Sequence, residues 1–198
     1  MVELRPHYPI STARLRLRPP TSDDVDALLA YRSDAEVCRF LPFEPMDAQV
    51  LQQRLAKDMG RREITGPGQG LTLGVELAAT GRLMGDVVLF FDSVEHRCGE
   101  IGYVFHPQVA GHGYATEACL AVLSLAYENL GLHRVTARMD ARNAASARLV
   151  DRLGMRLEAH HVSSEMFKGV WSDVLIYALL EQEWRDRCHG PAPPTLEA

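Results

Sequence analysis

The sequence lacks a surplus of basic residues. Among 198 residues, 21 are Lys or Arg and 26 are Asp or Glu, so the formal net charge is −5 with the histidines neutral. A protein that binds nucleic acid through its phosphates is expected to carry a positive surplus. The composition therefore argues against a nucleic-acid binder. It is typical of a soluble enzyme, and it favours a cationic acceptor.

Long apolar runs are also missing. No apolar stretch reaches the roughly 18 residues that indicate a membrane-spanning helix. The first residues, Met1 to Leu4, lead straight into Arg5, Pro6 and His7 without the apolar segment of a signal peptide. We therefore expect a cytoplasmic protein without membrane partners.

Paired cysteines are absent as well. The four cysteines are far apart and form no Cys-x-x-Cys pair: Cys38, Cys98, Cys119 and Cys188. Such spacing signals neither a zinc site nor a redox dithiol, and we expect no metal.

The apolar pattern predicts one α+β domain over residues 1–189, with a mixed, mostly antiparallel sheet flanked by helices. Strands are predicted at residues 13–19, 71–77, 83–91, 98–105, 133–139, 155–167 and 171–180. Helices are predicted to start at residues 21–24, near 33, at 47, at 114 and at 144, the third reaching about Arg62. The tail at 190–198 contains three prolines, and we expect it to be disordered.

A glycine-rich segment joins the strand at 98–105 to the helix that starts at Tyr114. It reads Gln-Val-Ala-Gly-His-Gly at residues 108–113. Gly111 and Gly113 allow a tight turn with positive φ, and the first amides of the following helix favour a phosphate. A plain strand-to-helix turn explains the same glycines, so both interpretations stay open from spacing alone.

Two familiar phosphate loops do not match this segment. Thr116 stands where a dinucleotide fingerprint needs its third glycine, and the Gly-Lys-Ser/Thr of a Walker loop is absent. Gly66 to Gly70 is interpreted as a flexible linker, because no helix-start pattern follows it.

The segment 108–113 matches the Gln/Arg-x-x-Gly-x-Gly/Ala signature of the GCN5-related N-acetyltransferase (GNAT) superfamily. Further motifs resemble its ribosomal-protein alanine acetyltransferase (RimJ/RimL-type) branch, and the likeness spans roughly residues 11 to 184. These motifs are Thr-Ala-Arg-Leu-Arg-Leu-Arg-Pro at 12–19, Gly-Glu-Ile-Gly-Tyr-Val at 99–104, Gly-Tyr-Ala-Thr-Glu-Ala at 113–118, Asn143-x-x-Ser146, Leu-Gly-Met at 153–155, and Phe-Lys-Gly-x-Trp-x-Asp at 167–173.

The resemblance implies a cleft for acetyl-coenzyme A between two splayed central strands. The loop would hold the pyrophosphate, and the main chain of the preceding strand would pair with the pantetheine arm. The cofactor-binding residues implied in this way are Tyr103, Val104, Phe105, Gly111, His112, Gly113, Tyr114, Ala115, Thr116, Asn143 and Ser146. Only the main chain of 103–105 is assigned this function, since their side chains are expected in the core. We interpret Glu117 as a structural residue that fixes the loop.

The proton donor for the leaving thiolate is an open question. Many members of the superfamily carry a tyrosine seven positions after the asparagine, where this chain has Val150. By resemblance to the branch, Ser146 is the candidate acid, with a bound water as an alternative because a serine hydroxyl is a weak acid. The plain interpretation of Asn143 is a helix cap, which is compatible with a contact to the cofactor.

Two glutamates are candidates for the catalytic base. Glu165 aligns with the base of the resembled branch and is preferred, while Glu100 lies on the central strand where other members place a glutamate. Strand alternation puts Glu100, Gly102 and Val104 on one face. For each glutamate the alternative is a salt-bridged or solvent-facing acid.

The resemblance thus implies an acetyl-CoA-dependent N-acetyltransferase of the acyltransferase class. The amine acceptor would be a peptide or protein N-terminus or a small cationic amine, and a homodimer is compatible with the family. The alternative is a non-catalytic acyl-CoA-binding module, which the valine at position 150 keeps open. Acceptor recognition is expected from Arg32, residues 40–43 and residues 164–173 with Trp171.

Overall fold

The computed structural model describes residues 3–189, and the predicted tail at 190–198 lies outside that range. The strands are β1 (Ile10–Ser11), β2 (Leu15–Arg18), β3 (Gln69–Leu77), β4 (Leu83–Ser93), β5 (Cys98–Phe105), β6 (Arg134–Asp140), β7 (Arg156–Phe167) and β8 (Val170–Leu180). The helices are α1 (Val25–Arg32), α2 (Ala35–Cys38), α3 (Ala48–Arg54), α4 (Tyr114–Ser124), α5 (Ala144–Arg152) and α6 (Glu181–His189). Among the described residues, no helix is both long and apolar enough to cross a membrane.

The eight strands form one sheet in the order β1-β2-β3-β4-β5-β6-β8-β7. All neighbours are antiparallel except β5 and β6. The mixed, mostly antiparallel α+β domain predicted from the sequence is confirmed.

The parallel contact between β5 and β6 is short. Its pairs are Cys98 with Arg134, Gly99 with Val135, and Glu100 with Thr136, and within the described residues the pairing goes no further. The remainder of β5, residues 101–105, diverges from residues 137–140 of β6. The splay that the resemblance implies is therefore present, and it opens directly after Glu100.

The two faces of the sheet carry different helices. Side chains of α4 and α5, such as Cys119, Val122 and Val150, are buried in a core that includes Ile101. On the opposite face, Leu28 of α1 and Leu51 of α3 belong to a second core. Because side chains alternate along β5, its odd-numbered residues face α4 and α5, and its even-numbered residues face α1 and α3.

Three elements differ from the sequence expectation. The helix predicted to reach Arg62 ends near Met59, where its last turn, Leu55–Met59, is π-helical. At Gly60 a Cβ would lie 2.6 Å from the carbonyl oxygen of Leu55, so this close turn requires glycine. Strand β1, which is only two residues long, and helix α6 were not predicted from the sequence. In α6, Trp184 is buried and stacks on Tyr127 at 5.6 Å.

Candidate active site

The glycine loop lies between β5 and α4. Gly111 and Gly113 have φ values of 81° and 76°, in the left-handed region that favours glycine. Gly113 caps α4, and its carbonyl accepts the first helical hydrogen bond, from the Glu117 amide at 3.1 Å. The amides of residues 114–116 precede that bond and have no partner within the helix, so they form a donor cluster at its positive end.

Glu117 fixes this loop to the first strands. Its carboxylate accepts hydrogen bonds from the Thr12 hydroxyl at 2.6 Å and from the Arg14 amide at 2.9 Å. Arg14 also donates from Nε to Glu117 at 2.6 Å and from Nη1 to the carbonyl of His112 at 2.9 Å. Burial acts to raise the pKa of Glu117, but these hydrogen bonds lower it below its ordinary value. The contacts agree with the structural role predicted for Glu117.

A cleft of about 1510 Å³ runs from this loop through the splay. Of the predicted cofactor-binding residues, it is lined by Tyr103, Val104, Phe105, Gly111, Gly113, Tyr114, Ala115, Thr116, Asn143 and Ser146. His112 is exposed, with its ring stacked on Tyr114 at 5.5 Å, and it does not belong to the lining. Its carbonyl, held by Arg14, is the part of His112 that supports the loop.

Asn143 and Ser146 meet at the start of α5. The side-chain oxygen of Asn143 accepts a hydrogen bond from the Ser146 amide at 3.1 Å, which is the capping arrangement that the sequence favours. Both residues also line the cleft. Capping thus orients Asn143 and leaves the Ser146 hydroxyl free to make another contact.

That contact is with Tyr103, and sequence reasoning missed it. The two hydroxyl oxygens are 2.6 Å apart. Burial raises the pKa of the Tyr103 phenol, and the hydrogen bond with Ser146 offsets only part of this, so the phenol is protonated at neutral pH. The side chain is therefore more than the apolar core residue expected from the sequence. Alternation along β5 was the available signal, since it turns Tyr103 towards α5.

Val150 faces away from this cluster. Its side chain is fully buried in the core beside α4 and α5, and it is not part of the cleft lining. Helix α5 therefore lacks the tyrosine that many members of the superfamily carry at this position. Tyr103 of β5 brings a phenol to the cleft instead.

The structure separates the two candidate bases. Glu100 lines the cleft at the last β5–β6 pair. Burial, with a smaller contribution from Asp92, raises its pKa, although Arg138 acts in the opposite direction. Glu165 of β7 is outside the lining and forms an ion pair with Arg138, which does line the cleft. Glu100, Tyr103 and Ser146 are thus brought into one cleft, and Glu165 reaches it through Arg138.

One wall of the cleft is held in place by a residue that is distant in the sequence, Lys168. Residues 40–43, between α2 and α3, form part of the lining. Lys168, in the turn between β7 and β8, donates to the carbonyls of Cys38 at 2.8 Å and Phe43 at 3.0 Å, and its Nζ is 3.5 Å from Glu44. The β7–β8 turn therefore fixes this wall. The turn belongs to the motif at residues 167–173 described in the sequence analysis. Among residues 3–187 no group of three or more His, Cys, Asp or Glu side chains is arranged to hold a metal.

Comparison with known proteins agrees with this geometry. Residues 14–156 match the sequence profile of the acetyltransferase (GNAT) domain. The chain belongs to the GNAT acetyltransferase family. Among curated relatives, the uncharacterized N-acetyltransferase YnaD of Bacillus subtilis is 31% identical over 88% of this chain and 98% of its own length. This GNAT protein is therefore an enzyme of the acyltransferase class.

More distant relatives and solved structures extend the comparison. YdaF of Bacillus subtilis, described as a proposed ribosomal N-acetyltransferase, is 26% identical over 86% of this chain and 92% of its own length. A GNAT-family acetyltransferase from Bacillus anthracis superposes with a TM-score of 0.79, at 30% identity, and covers 88% of this chain and 99% of that one. Spermidine N-acetyltransferase from Vibrio cholerae, solved with CoA and spermine, shares the fold with a TM-score of 0.75 at 20% identity, over 88% of this chain and 99% of that one.

Proposed function

We propose that this GNAT enzyme transfers an acetyl group from acetyl-coenzyme A to a primary amine, by direct attack of the amine on the thioester. The acceptor would be a small amine or a peptide or protein N-terminus. The observation that carries the proposal is the cleft through the β5–β6 splay, which is lined both by the glycine loop and by Glu100.

The residues around the loop fit the coenzyme. A Cβ added at Gly111 would meet no atom within 4 Å, so it would project into the open space beside the amides of the loop. Arg148 and Arg152 of α5 line the same cleft and bring positive charge. Phosphates are held well by such amides together with arginines. The loop, Arg148 and Arg152 would thus hold the pyrophosphate.

The splayed strand offers main-chain groups for the rest of the coenzyme. Beyond Glu100, β5 is paired with β4 on one side and lacks the β6 ladder on the other. Backbone N–H and C=O groups on that open side need partners. Residues 103–105 would therefore bind through their main chain, as the resemblance implies.

When bound, acetyl-coenzyme A supplies a thioester whose acetyl carbon bonds to the amine nitrogen as the carbon–sulfur bond breaks. Glu100 would take the proton that the attacking amine releases, and its raised pKa makes it a better match for an amine than an ordinary carboxylate. The Ser146 hydroxyl, hydrogen-bonded to Tyr103, would give a proton to the departing sulfur. Two observations support Glu100 over Glu165, namely its place in the cleft and the engagement of Glu165 with Arg138.

Release of free thiol from acetyl-coenzyme A tests this function. Purified enzyme is incubated with single amines and with short peptides, and thiol release is compared with mass-spectrometric detection of the acetylated amine. Amine-dependent release in equal amounts supports the transfer. Coenzyme binding by calorimetry without turnover on any amine would instead favour the non-catalytic module.

We also propose that the enzyme belongs to the RimJ/RimL-type branch, is cytoplasmic and forms a homodimer. Assignment to the RimJ/RimL branch is supported by the motifs at 113–118 and 143–146 and by the similarity to YdaF. A cytoplasmic location can be checked by fractionation of cells. Formation of a homodimer can be checked by light scattering.

A further inference from the structure

The side of the cleft that faces α1 and α3 has an apolar and glycine-rich floor. In the antiparallel sheet Gly70 lies opposite Phe90, which lies opposite Glu100, and in the next row Thr72, Val88 and Gly102 are aligned in the same way. Residues directly opposite each other share a face. All six residues line the cleft.

This floor lies on the face of the sheet opposite α4, the helix that follows the glycine loop. Asp86 and Val104 form the next paired row, and Asp86 accepts hydrogen bonds from Tyr31 at 2.7 Å and from Arg32, both in α1. The floor rows therefore continue the face covered by α1. A ligand on this floor would approach the splay from the side opposite α4, which leaves the α4 side to the coenzyme.

Phe90 is an open apolar surface within the floor. Its side chain is 42% exposed although it lies in the middle of a strand. A Cβ at Gly70 would come within 2.9 Å of the Phe90 ring, and one at Gly102 within 3.1 Å of Val88. Glycine at these positions therefore keeps the ring in place and the floor flat. Exposed apolar area inside a cleft is a contact surface for an apolar ligand group.

The wall beside the floor is apolar too. Residues 40–43, Phe-Leu-Pro-Phe, line the cleft together with Met59 at the end of the π-helical turn. The guanidinium of Arg32 lies over the Phe43 ring at 5.1 Å, and Lys168 holds the Phe43 carbonyl. The wall is thus fixed, and with the floor it encloses a slot with apolar sides.

The charges in the cleft do not suit a ligand with several positive charges. Apart from the charged residues at the glycine loop and on α5, the lining contains four arginines and three carboxylates: Arg32, Arg54, Arg61 and Arg138, and Asp58, Asp86 and Glu100. Three of the lining carboxylates are paired with arginines, as Asp86 with Arg32, Glu117 with Arg14, and Asp58 with Arg54. Within residues 3–189, Glu100 is the one lining carboxylate that is not in an ion pair. One free carboxylate can serve one amine, and a second ammonium would meet arginines.

We propose that the acceptor is a primary amine with a single positive charge, attached to an aliphatic or aromatic group that packs on Phe90 and Val88. The inference rests on the proposed function and narrows its substrate class. It excludes polyamines, although spermidine N-acetyltransferase has the same fold. The amine would lie at Glu100 and its apolar group would extend over the floor.

A matched pair of amines tests the charge requirement. Hexylamine and 1,6-diaminohexane have the same chain length and differ by one ammonium group. We expect kcat/KM for hexylamine to exceed that for the diamine by about tenfold or more, since the second charge is unpaired beside arginines. Equal or better use of the diamine or of spermidine would overturn the inference while leaving acetyl transfer intact.

Substitution of Phe90 tests the apolar contact. Phe90→Ala is expected to raise KM for hexylamine and phenethylamine about tenfold, because the contact area of a ring is lost. The matched control is Val94→Ala, since Val94 is 47% exposed in the β4–β5 turn and outside the lining. Unchanged KM in Phe90→Ala, with the fold intact by circular dichroism, would contradict the packing on Phe90.

A third arm distinguishes free amines from peptides. Pentapeptides that start with Phe, Lys or Asp and are otherwise identical are compared with phenethylamine. Use of the Phe peptide over the Lys peptide supports the same chemistry on a polypeptide N-terminus, and preference for phenethylamine supports a small molecule. Preference for the Lys peptide overturns the inference. Absence of turnover with every amine, while the coenzyme still binds, overturns the proposed function and this inference with it.

Discussion

The hydroxyl of Tyr103 is 2.6 Å from Oγ of Ser146, although the residues lie on different elements, β5 and α5. This hydrogen bond joins two hydroxyl groups that both belong to residues lining the cleft. In the proposed mechanism, Tyr103 would replace the proton that Ser146 gives to the sulfur. We therefore propose that this pair takes the place of the tyrosine that many members of the superfamily carry at position 150.

Removal of the Tyr103 hydroxyl is expected to slow the reaction. In Tyr103→Phe we expect kcat to fall about 10- to 100-fold, since Ser146 loses its proton source, with coenzyme affinity nearly unchanged. The double variant with Ser146→Ala should be little slower than either single variant, because the two hydroxyls act as a unit. Steady-state kinetics measures both. Tyr8→Phe is the control, as the Tyr8 hydroxyl binds the Arg62 carbonyl outside the cleft. Wild-type kcat in Tyr103→Phe would exclude the phenol from the reaction.

The pH profile should identify the base. A base must be ionised to accept a proton, so kcat/KM should rise with pH through the pKa of Glu100, which burial raises from its ordinary value. Glu100→Gln should remove this rise and lower kcat/KM about 100-fold. Glu165→Gln is the matched variant and should keep the rise. If the two variants exchange these behaviours, Glu165 is the base.

Glu100 should also lower the stability of the enzyme at neutral pH. A carboxyl whose pKa is raised on folding stabilises the fold below its unfolded pKa, and this stability is lost as the pH rises through the folded pKa. Glu100→Gln removes the buried charge. We expect its Tm to exceed that of the wild type at pH 7 and the difference to shrink at pH 4, as followed by calorimetry. A lower Tm at pH 7 would show that the charge is stabilised by its surroundings.

Gly111 should contribute to coenzyme binding through the open space that it leaves beside the loop amides, in addition to its positive φ. Gly111→Val pays about 1–2 kcal/mol for a side chain at positive φ and fills the space beside the loop amides. We expect the Kd of coenzyme A to rise at least about tenfold by calorimetry. Gly131→Val is the matched control, because Gly131 has φ 68° and an equally open Cβ position outside the cleft. Equal affinity in both variants would contradict the loop assignment.

Lys168 should act on the acceptor and not on the coenzyme. Lys168→Met removes the bonds to the carbonyls of Cys38 and Phe43 and frees the wall at 40–43. We expect KM for the amine to rise several-fold, about 1 kcal/mol, with the coenzyme Kd unchanged. Lys57→Met, at an exposed position outside the lining, is the control. A change in coenzyme affinity alone would place the effect elsewhere.

The sequence predicts best those features that depend on neighbouring residues. Alternation in β3, β4 and β5 and the glycines at 111 and 113 are local signals, and the strands and loop occur where they were expected. Contacts between distant segments carry no such signal. Tyr103 and Ser146 are separated by 43 positions, and Lys168 reaches Cys38 across 130. The ion pair between Glu165 and Arg138 also cannot be predicted before the order of the strands in the sheet is known.

The short β5–β6 ladder has a consequence for how the site tolerates change. Along residues 101–105 the groups without a β6 partner belong to the main chain, which every amino acid shares. A molecule that forms hydrogen bonds with these main-chain groups occupies the position that a neighbouring strand would have in a continuous sheet. Because main-chain hydrogen bonds do not depend on the side chain, relatives of this protein can differ widely in sequence along β5 and still bind the same molecule.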